Sequence, residues 1–409
     1  MRQALARALL LLGSVLFSVA AMECGLRLVH TGSLRGLSGE HSLRMPHETR
    51  GWALEPDASS FQRTRDYGVL VRTNALGMRD RPHDPLPGPG TFRIVVLGDS
   101  FMEAYQVPLE QSLPYLLQER LASRGVEVLN LGVGGYGTAQ ELLALEEEGL
   151  RYRPDLVVLA FYAGNDVQNN SHAIEAALHG EDEPTTFARP YARASALDSE
   201  LVWTPPDRAR LEPYARRWRE RKDSRLDALR RTLQPAMVAH LAEQATARLR
   251  SRLSGKDAFD PQLLFGRLFL REVGDPEASR LWDEAWMATR RLLLEIDLVS
   301  RAAGARFAVL IVPTQFQVDP RALASVQAEY PGLDFDPLRI NRELADFCAD
   351  AGIPLLDPVD AFAREEAAGR PMYYALEDRH WNAAGQALAT DLLAEFLVER
   401  GLVPSAPSR

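Results

Sequence analysis

Five short apolar runs, at residues 92–97, 126–131, 156–162, 306–312 and 353–356, are mostly bounded by Gly, Pro, Asn or Asp and are separated by helical patterns. Most carry apolar residues at successive positions rather than at every second one, the reading of a strand buried on both faces. Burial on both faces requires helices above and below the sheet, and the intervening segments supply them. Leu109, Leu113, Leu116, Leu117 and Leu121 share one face of a pattern over 108–124 that stops at Gly125, where a glycine can end a helix. Thr138 and Glu141 have the spacing of a capping box and open a helix that runs to about Glu148. Leu281, Ala285, Ala288, Leu292 and Val299 mark a longer helix before the fourth run, and Asn382 can cap a last one over 383–400. The alternation predicts a doubly wound α/β fold. Its form is a flavodoxin-like three-layer α/β/α sandwich with a five-stranded parallel sheet ordered 2-1-3-4-5.

At 409 residues and 46% apolar content the chain can bury this core and carry additions to it. Arg2 and Arg7 precede an apolar run over 8–22, and the helical pattern continues past Glu23 through Leu26, Leu28 and Val29. This is a signal-type segment, expected as an uncleaved membrane anchor over 1–29 with the remainder extracytoplasmic (periplasmic). Cleavage after Ala20, giving a secreted protein, is the alternative. Residues 30–90, rich in Gly, Pro, Arg and Ser, read as an extended juxtamembrane segment containing one alternating stretch, YGVLVRTN. The core domain is then discontinuous, 91–170 and 300–402, around a mostly helical insertion at 171–299. Within the insertion the charged stretch 216–253 is either a solvated face or a surface for a protein partner. A net charge of -9 argues against nucleic acid as a partner. Cys24 and Cys348 are too far apart to suggest a metal site or a disulfide framework, and Cys348 reads as helix core.

Polar residues gather at the carboxyl ends of the expected strands, where ligands bind in open α/β sheets. Gly98-Asp99-Ser100 follows the first, Gly164-Asn165-Asp166 the third, and Glu377-Asp378-Arg379-His380-Trp381 lies beyond the fifth. In the order 2-1-3-4-5, Ser100 and Asn165 face each other across the switch point, and His380 can reach the same rim. Each group alone is ordinary turn chemistry, and Trp381 and Tyr162 read as packing residues. Asp99 and Asp166 read as braces for their loops. A rival motif, Gly132-Val133-Gly134-Gly135-Tyr136-Gly137, fits the dinucleotide fingerprint G-x-G-x-x-G. The acid expected at the end of the following strand would be Asp166, well beyond the usual distance of about 20 residues, and it sits inside the Gly-Asn-Asp block.

Taken together the four blocks resemble the SGNH (GDSL) esterases and lipases over roughly 92–170 and 305–400. Gly98-Asp99-Ser100 matches the first block, NLGVGGYGT with Gly135 the second, Gly164-Asn165-Asp166 the third and Asp378-Arg379-His380 the last. Ala104 departs from the glycine many members carry after the serine. The family's acid usually lies three residues before the histidine, which here is Glu377. Asp378-Arg379-His380-Trp381 is nevertheless similar to membrane-linked polysaccharide O-acetyltransferases of the superfamily, so Asp378 is the first choice of acid and Glu377 the alternate. The resemblance implies Ser100 as nucleophile, His380 as base, and an oxyanion hole from Ser100, Gly135 and Asn165, with no metal or organic cofactor. The implied activity is removal of an acyl group, acetyl above all, from a carbohydrate or cell-envelope ester. O-acetyl transfer by the same residues is the alternative, and a catalytically idle glycan-binding or assembly protein is the reading of another class.

Overall fold

The computed structural model describes residues 43–223, 261–376 and 378–405, together with positions 14 and 18. Apart from those two positions the anchor expected over 1–29 lies outside the described residues. Among the described residues no helix is long and apolar enough to cross a membrane. From residue 43 onward the described residues open with two antiparallel hairpins, β1 (Arg44–His47) with β2 (Gly51–Leu54) and β3 (Ser59–Arg63) with β4 (Gly68–Arg72). Then follow β5 (Phe92–Gly98), β6 (Val126–Asn130) and β7 (Leu156–Tyr162). A small hairpin of β8 (Tyr191–Arg193) and β9 (Val202–Thr204) comes next, before β10 (Arg306–Val312) and β11 (Leu355–Leu356).

β5, β6, β7, β10 and β11 form one parallel sheet in the order β6-β5-β7-β10-β11. Successive side chains alternate between its two faces, and both are covered. Val95, Leu97, Val157, Leu159, Val309 and Ile311 pack under one helical layer, which includes Leu142, Trp282, Trp286 and Leu344. Ile94, Val96, Val158, Ala160, Leu310 and Val312 pack under the other, with Leu117, Phe362 and Leu393. That double burial is why the apolar runs do not alternate in sequence. β11 is shorter than its apolar run because Pro354, which accepts a hydrogen bond from Val309 N, has no N–H to return.

Three elements differ from the sequence reading. Thr138 is the first residue of the helix Thr138–Glu147, and Gly137 occupies the cap position. The residue of the expected capping box at Glu141 is therefore turned into the protein, 1% exposed. The helix Pro276–Ala302, which the sequence reading groups with the insertion, contributes Leu281, Ala285, Leu292 and Ile296 to the core under the sheet. Residues 43–90, expected to be extended, fold back over the carboxyl-end rim of the sheet. Leu43, Trp52, Leu54, Val69 and Val71 share a core there with Tyr105, Val133 and Tyr136, and the Tyr136 hydroxyl donates to Trp52 O at 2.6 Å. These partners lie tens of residues away in sequence, so no local periodicity betrays them.

Arg79 fastens this apron to the loop after β5. Its guanidinium, 1% exposed, donates to the carbonyls of Glu103 (2.8 Å), Ala104 (2.9 Å) and Val107 (2.6 Å). Arg79→Met keeps most of the side-chain volume but strands the buried carbonyls of Glu103 and Val107, while Ala104 O keeps its bond from Val107 N at 3.1 Å, so a loss of about 3 kcal/mol in urea unfolding is expected. A change below about 0.5 kcal/mol, the usual range for surface substitutions, would show that these bonds do not hold the apron.

Candidate active site

β5 delivers Ser100 to the crevice between its own carboxyl end and that of β7, where the strand order reverses. The turn there is tight enough to require glycine. A Cβ on Gly98 would lie 2.6 Å from Met102 Cγ, and one on Gly132 would lie 2.5 Å from Met102 Cβ. Asp99 caps the short helix Ser100–Glu103 by accepting from Phe101 N at 2.9 Å. Ala104, the residue that departs from the usual glycine, closes that helix in the left-handed region at φ 52°, a conformation that costs an alanine about 1 kcal/mol.

The structure brings Ser100, His380 and Asp378 into one hydrogen-bonded chain. Ser100 Oγ lies 2.6 Å from His380 Nε2, and His380 Nδ1 lies 2.6 Å from Asp378 Oδ1. With the carboxylate as acceptor the ring carries its proton on Nδ1, leaving the Nε2 lone pair toward the serine. Asp378 Oδ1 also accepts the His380 N–H at 2.9 Å, and Oδ2 accepts the Tyr67 hydroxyl at 2.7 Å. Burial pushes the Asp378 carboxyl up, but its bonds to the imidazole, the His380 N–H and Tyr67 outweigh this and hold it below the usual carboxylate range. Asp66, at the tip of the β3–β4 hairpin, accepts Leu376 N (3.0 Å) and Asp378 N (2.8 Å) and pins the loop. Glu377, the alternate acid, lies outside the described residues. Trp381 is fully buried between Phe101 and Phe362, a packing residue that anchors the histidine loop.

On the opposite side the glycine loop 132–135 approaches the serine closely. A Cβ on Gly134 would sit 3.6 Å from Ser100 Cβ, and Gly134 N donates to the buried Glu103 carboxylate at 2.6 Å. Gly135 has φ +74°, open to glycine and strained for other residues. The Asn165 amide donates one N–H to Asp99 Oδ2 at 3.2 Å, which orients the side chain over the serine turn and leaves its second N–H available. Sequence reasoning missed Asp66, Tyr67 and Glu103. Tyr67 opens the alternating stretch YGVLVRTN, and nothing in that pattern shows that its hydroxyl meets an aspartate 311 positions away.

Comparison with known proteins places these residues in context. Residues 96–264 match the family model described as GDSL-like Lipase/Acylhydrolase, a span that includes Ser100, Gly135 and Asn165 and stops before Asp378 and His380. An arylesterase of Vibrio mimicus is 35% identical over 78 residues, 19% of this chain, and the match spans 39% of that protein's length. Among solved structures, the lipase/acylhydrolase of Enterococcus faecalis is 14% identical with a TM-score of 0.36, over 78% of this chain and 100% of the other. The acetyl xylan esterase AlAXEase is 14% identical with a TM-score of 0.34, over 74% and 98%.

Beneath Ser100 lies a group of carboxyls that the sequence reading did not join. Asp99, Glu141 and Asp166 are each at most 1% exposed. Burial raises Asp99 to about 6. Burial and the charge of Asp99 push Glu141 well above the ordinary carboxylate value, and Asp166 is raised by burial and by both neighbours. Glu141 has no hydrogen-bond partner for either oxygen among the described residues. A carboxyl whose folded pKa exceeds its unfolded value of about 4 opposes folding increasingly as pH rises above that unfolded value toward the folded one. Glu141→Gln removes one such group. Its Tm relative to the parent chain should therefore rise from pH 5 to pH 8, and parallel Tm curves would show that Glu141 does not titrate in this window.

Proposed function

We propose, for a chain whose residues 96–264 match the GDSL-like lipase/acylhydrolase family model, that the protein is a serine esterase acting through Ser100, His380 and Asp378. The observation that carries the reading is the unbroken chain from Ser100 Oγ through the imidazole to Asp378. A serine hydroxyl is a weak nucleophile at neutral pH and needs a base within hydrogen-bond reach that is itself held in the right tautomer. In the first half-reaction His380 Nε2 takes the Ser100 proton as Oγ attacks the acyl carbon. The tetrahedral oxyanion is received by the backbone N–H groups of Ser100 and Gly135 and by the free N–H of Asn165. Collapse expels the alcohol, protonated by His380. Water, activated by the same nitrogen, then releases the acid and restores Ser100.

The substrate we assign is an acyl ester, acetyl above all, on a carbohydrate or cell-envelope component. Arg2 and Arg7 ahead of the apolar run 8–22 support a site of action outside the cytoplasm with the chain held in the membrane, which membrane fractionation of the full chain tests. The Asp378-Arg379-His380-Trp381 sequence favours transfer to a sugar hydroxyl as the second reading. Product analysis with and without a polysaccharide acceptor separates the two.

Turnover of an activated acetyl ester checks the residue roles. Ser100→Ala and His380→Ala should each lower kcat by at least about 10^3-fold, and Asp378→Asn by up to about 10^4-fold. Asn165→Ala should cost about 10^2-fold to 10^3-fold. Tyr67→Phe removes one charge-assisted bond from Asp378 and should cost about 10-fold. Wild-type turnover in a folded Ser100→Ala would remove the serine from the mechanism.

A further inference from the structure

We infer that the N-terminal apron completes the oxyanion hole: Arg44, with Trp52, is a positioning residue that aims and polarises the Gly135 N–H. The inference rests on the esterase reading above and extends it to a segment outside the matched family domain. Pro46 pairs with Trp52 in the β1–β2 hairpin, so Arg44, two residues earlier, lies diagonally from Trp52 on the same face. Both side chains reach one atom. Arg44 Nη2 donates to Gly134 O at 2.6 Å and Trp52 Nε1 donates to it at 3.2 Å, with the guanidinium stacked 5.5 Å from the indole centroid.

Gly134 O and the Gly135 N–H belong to one planar, trans peptide unit, in which C=O and N–H point in opposite directions. Fixing the carbonyl toward the apron therefore fixes the N–H away from it, in a loop that comes so near the serine that a Cβ on Gly134 would lie 3.6 Å from Ser100 Cβ. Glycines at 134 and 135 leave this peptide otherwise free to rotate, so its direction must come from partners. The following carbonyl, Gly135 O, is held in turn by Arg189, 4% exposed, at 2.8 Å. A guanidinium on the carbonyl also withdraws electron density from the amide, making the N–H a stronger donor to the developing oxyanion. The contribution is to the transition state, where the charge resides, and hardly at all to the bound ester.

The test uses the full chain with an activated acetyl ester and a serine-directed phosphonate. Arg44→Met should lower kcat about 10-fold to 10^2-fold with KM within about twofold. It should slow phosphonate labelling in proportion and leave the pH dependence of kcat in place. Arg44→Lys, which retains a charged donor, should recover part of the loss. Trp52→Phe, which keeps an aromatic face but replaces the indole and its N–H with a smaller phenyl ring, should give a smaller loss of the same kind and serves if Arg44→Met does not fold. Wild-type kcat in folded Arg44→Met or Trp52→Phe overturns the inference, as does a loss confined to KM, which would make Arg44 a substrate ligand. Ser100→Ala, run alongside, separates the readings. If it is inactive while Arg44→Met is normal, only the apron's role falls, and if it is active the nucleophile assignment falls first.

Discussion

The approach of the serine turn to the glycine loop governs the rest of this site. No Cβ fits at Gly98 or Gly132 because Met102 and the backbone of Glu103 occupy that space. The loop after β6 is thereby pressed against the turn after β5 along the line where the sheet order reverses. Ser100 is left only 9% exposed, and the loop carrying Asp378 and His380 meets it at 2.6 Å although 280 positions separate the two residues. Dense packing on both sheet faces holds the approach without slack, since interiors at crystal-like density yield little to a shift of one side chain.

The parts legible in sequence are those written in short-range spacing. The strand runs show because double burial removes polar residues from them. Asn382 is readable because a cap acts within three residues, and it does accept from Ala384 N and Gly385 N. Asp378 and His380 lie two apart, so the pair shows as a pattern. Glu141 misled for the complementary reason: its spacing from Thr138 mimics a capping box, yet the cap position falls at Gly137 and the carboxyl is drawn inward. Arg44, Trp52, Asp66 and Tyr67 act on atoms 80 to 310 or so positions away. Their side chains leave no periodic trace, and residues 30–90 look like a spacer because their apolar partners belong to other elements.

The acidic floor sets a cost against this geometry. Asp99 supports the serine turn and orients Asn165, two tasks that suit a carboxylate, but Glu141 and Asp166 sit where a second and third charge are poorly tolerated. Burial and repulsion among the carboxyls raise both well above the ordinary carboxylate value, which favours their neutral forms beside Asp99. The site joins a carboxyl lowered at Asp378 by its donors to carboxyls raised at Asp99, Glu141 and Asp166 by burial, and the difference lies in partners rather than residue type.

The bond from Tyr67 to Asp378 also bears on how the molecule is made. Its two ends are 311 positions apart, so the β3–β4 hairpin gains this partner only once the loop carrying Asp378 has been synthesised. Trp52, Val69 and Val71 find their packing partners earlier, once Tyr105, Val133 and Tyr136 have been made. Contacts of such separation slow folding and prolong exposure of apolar segments to other chains. The Ser100–His380–Asp378 arrangement therefore forms only after both the apron and the distant loop carrying Asp378 and His380 have been synthesised.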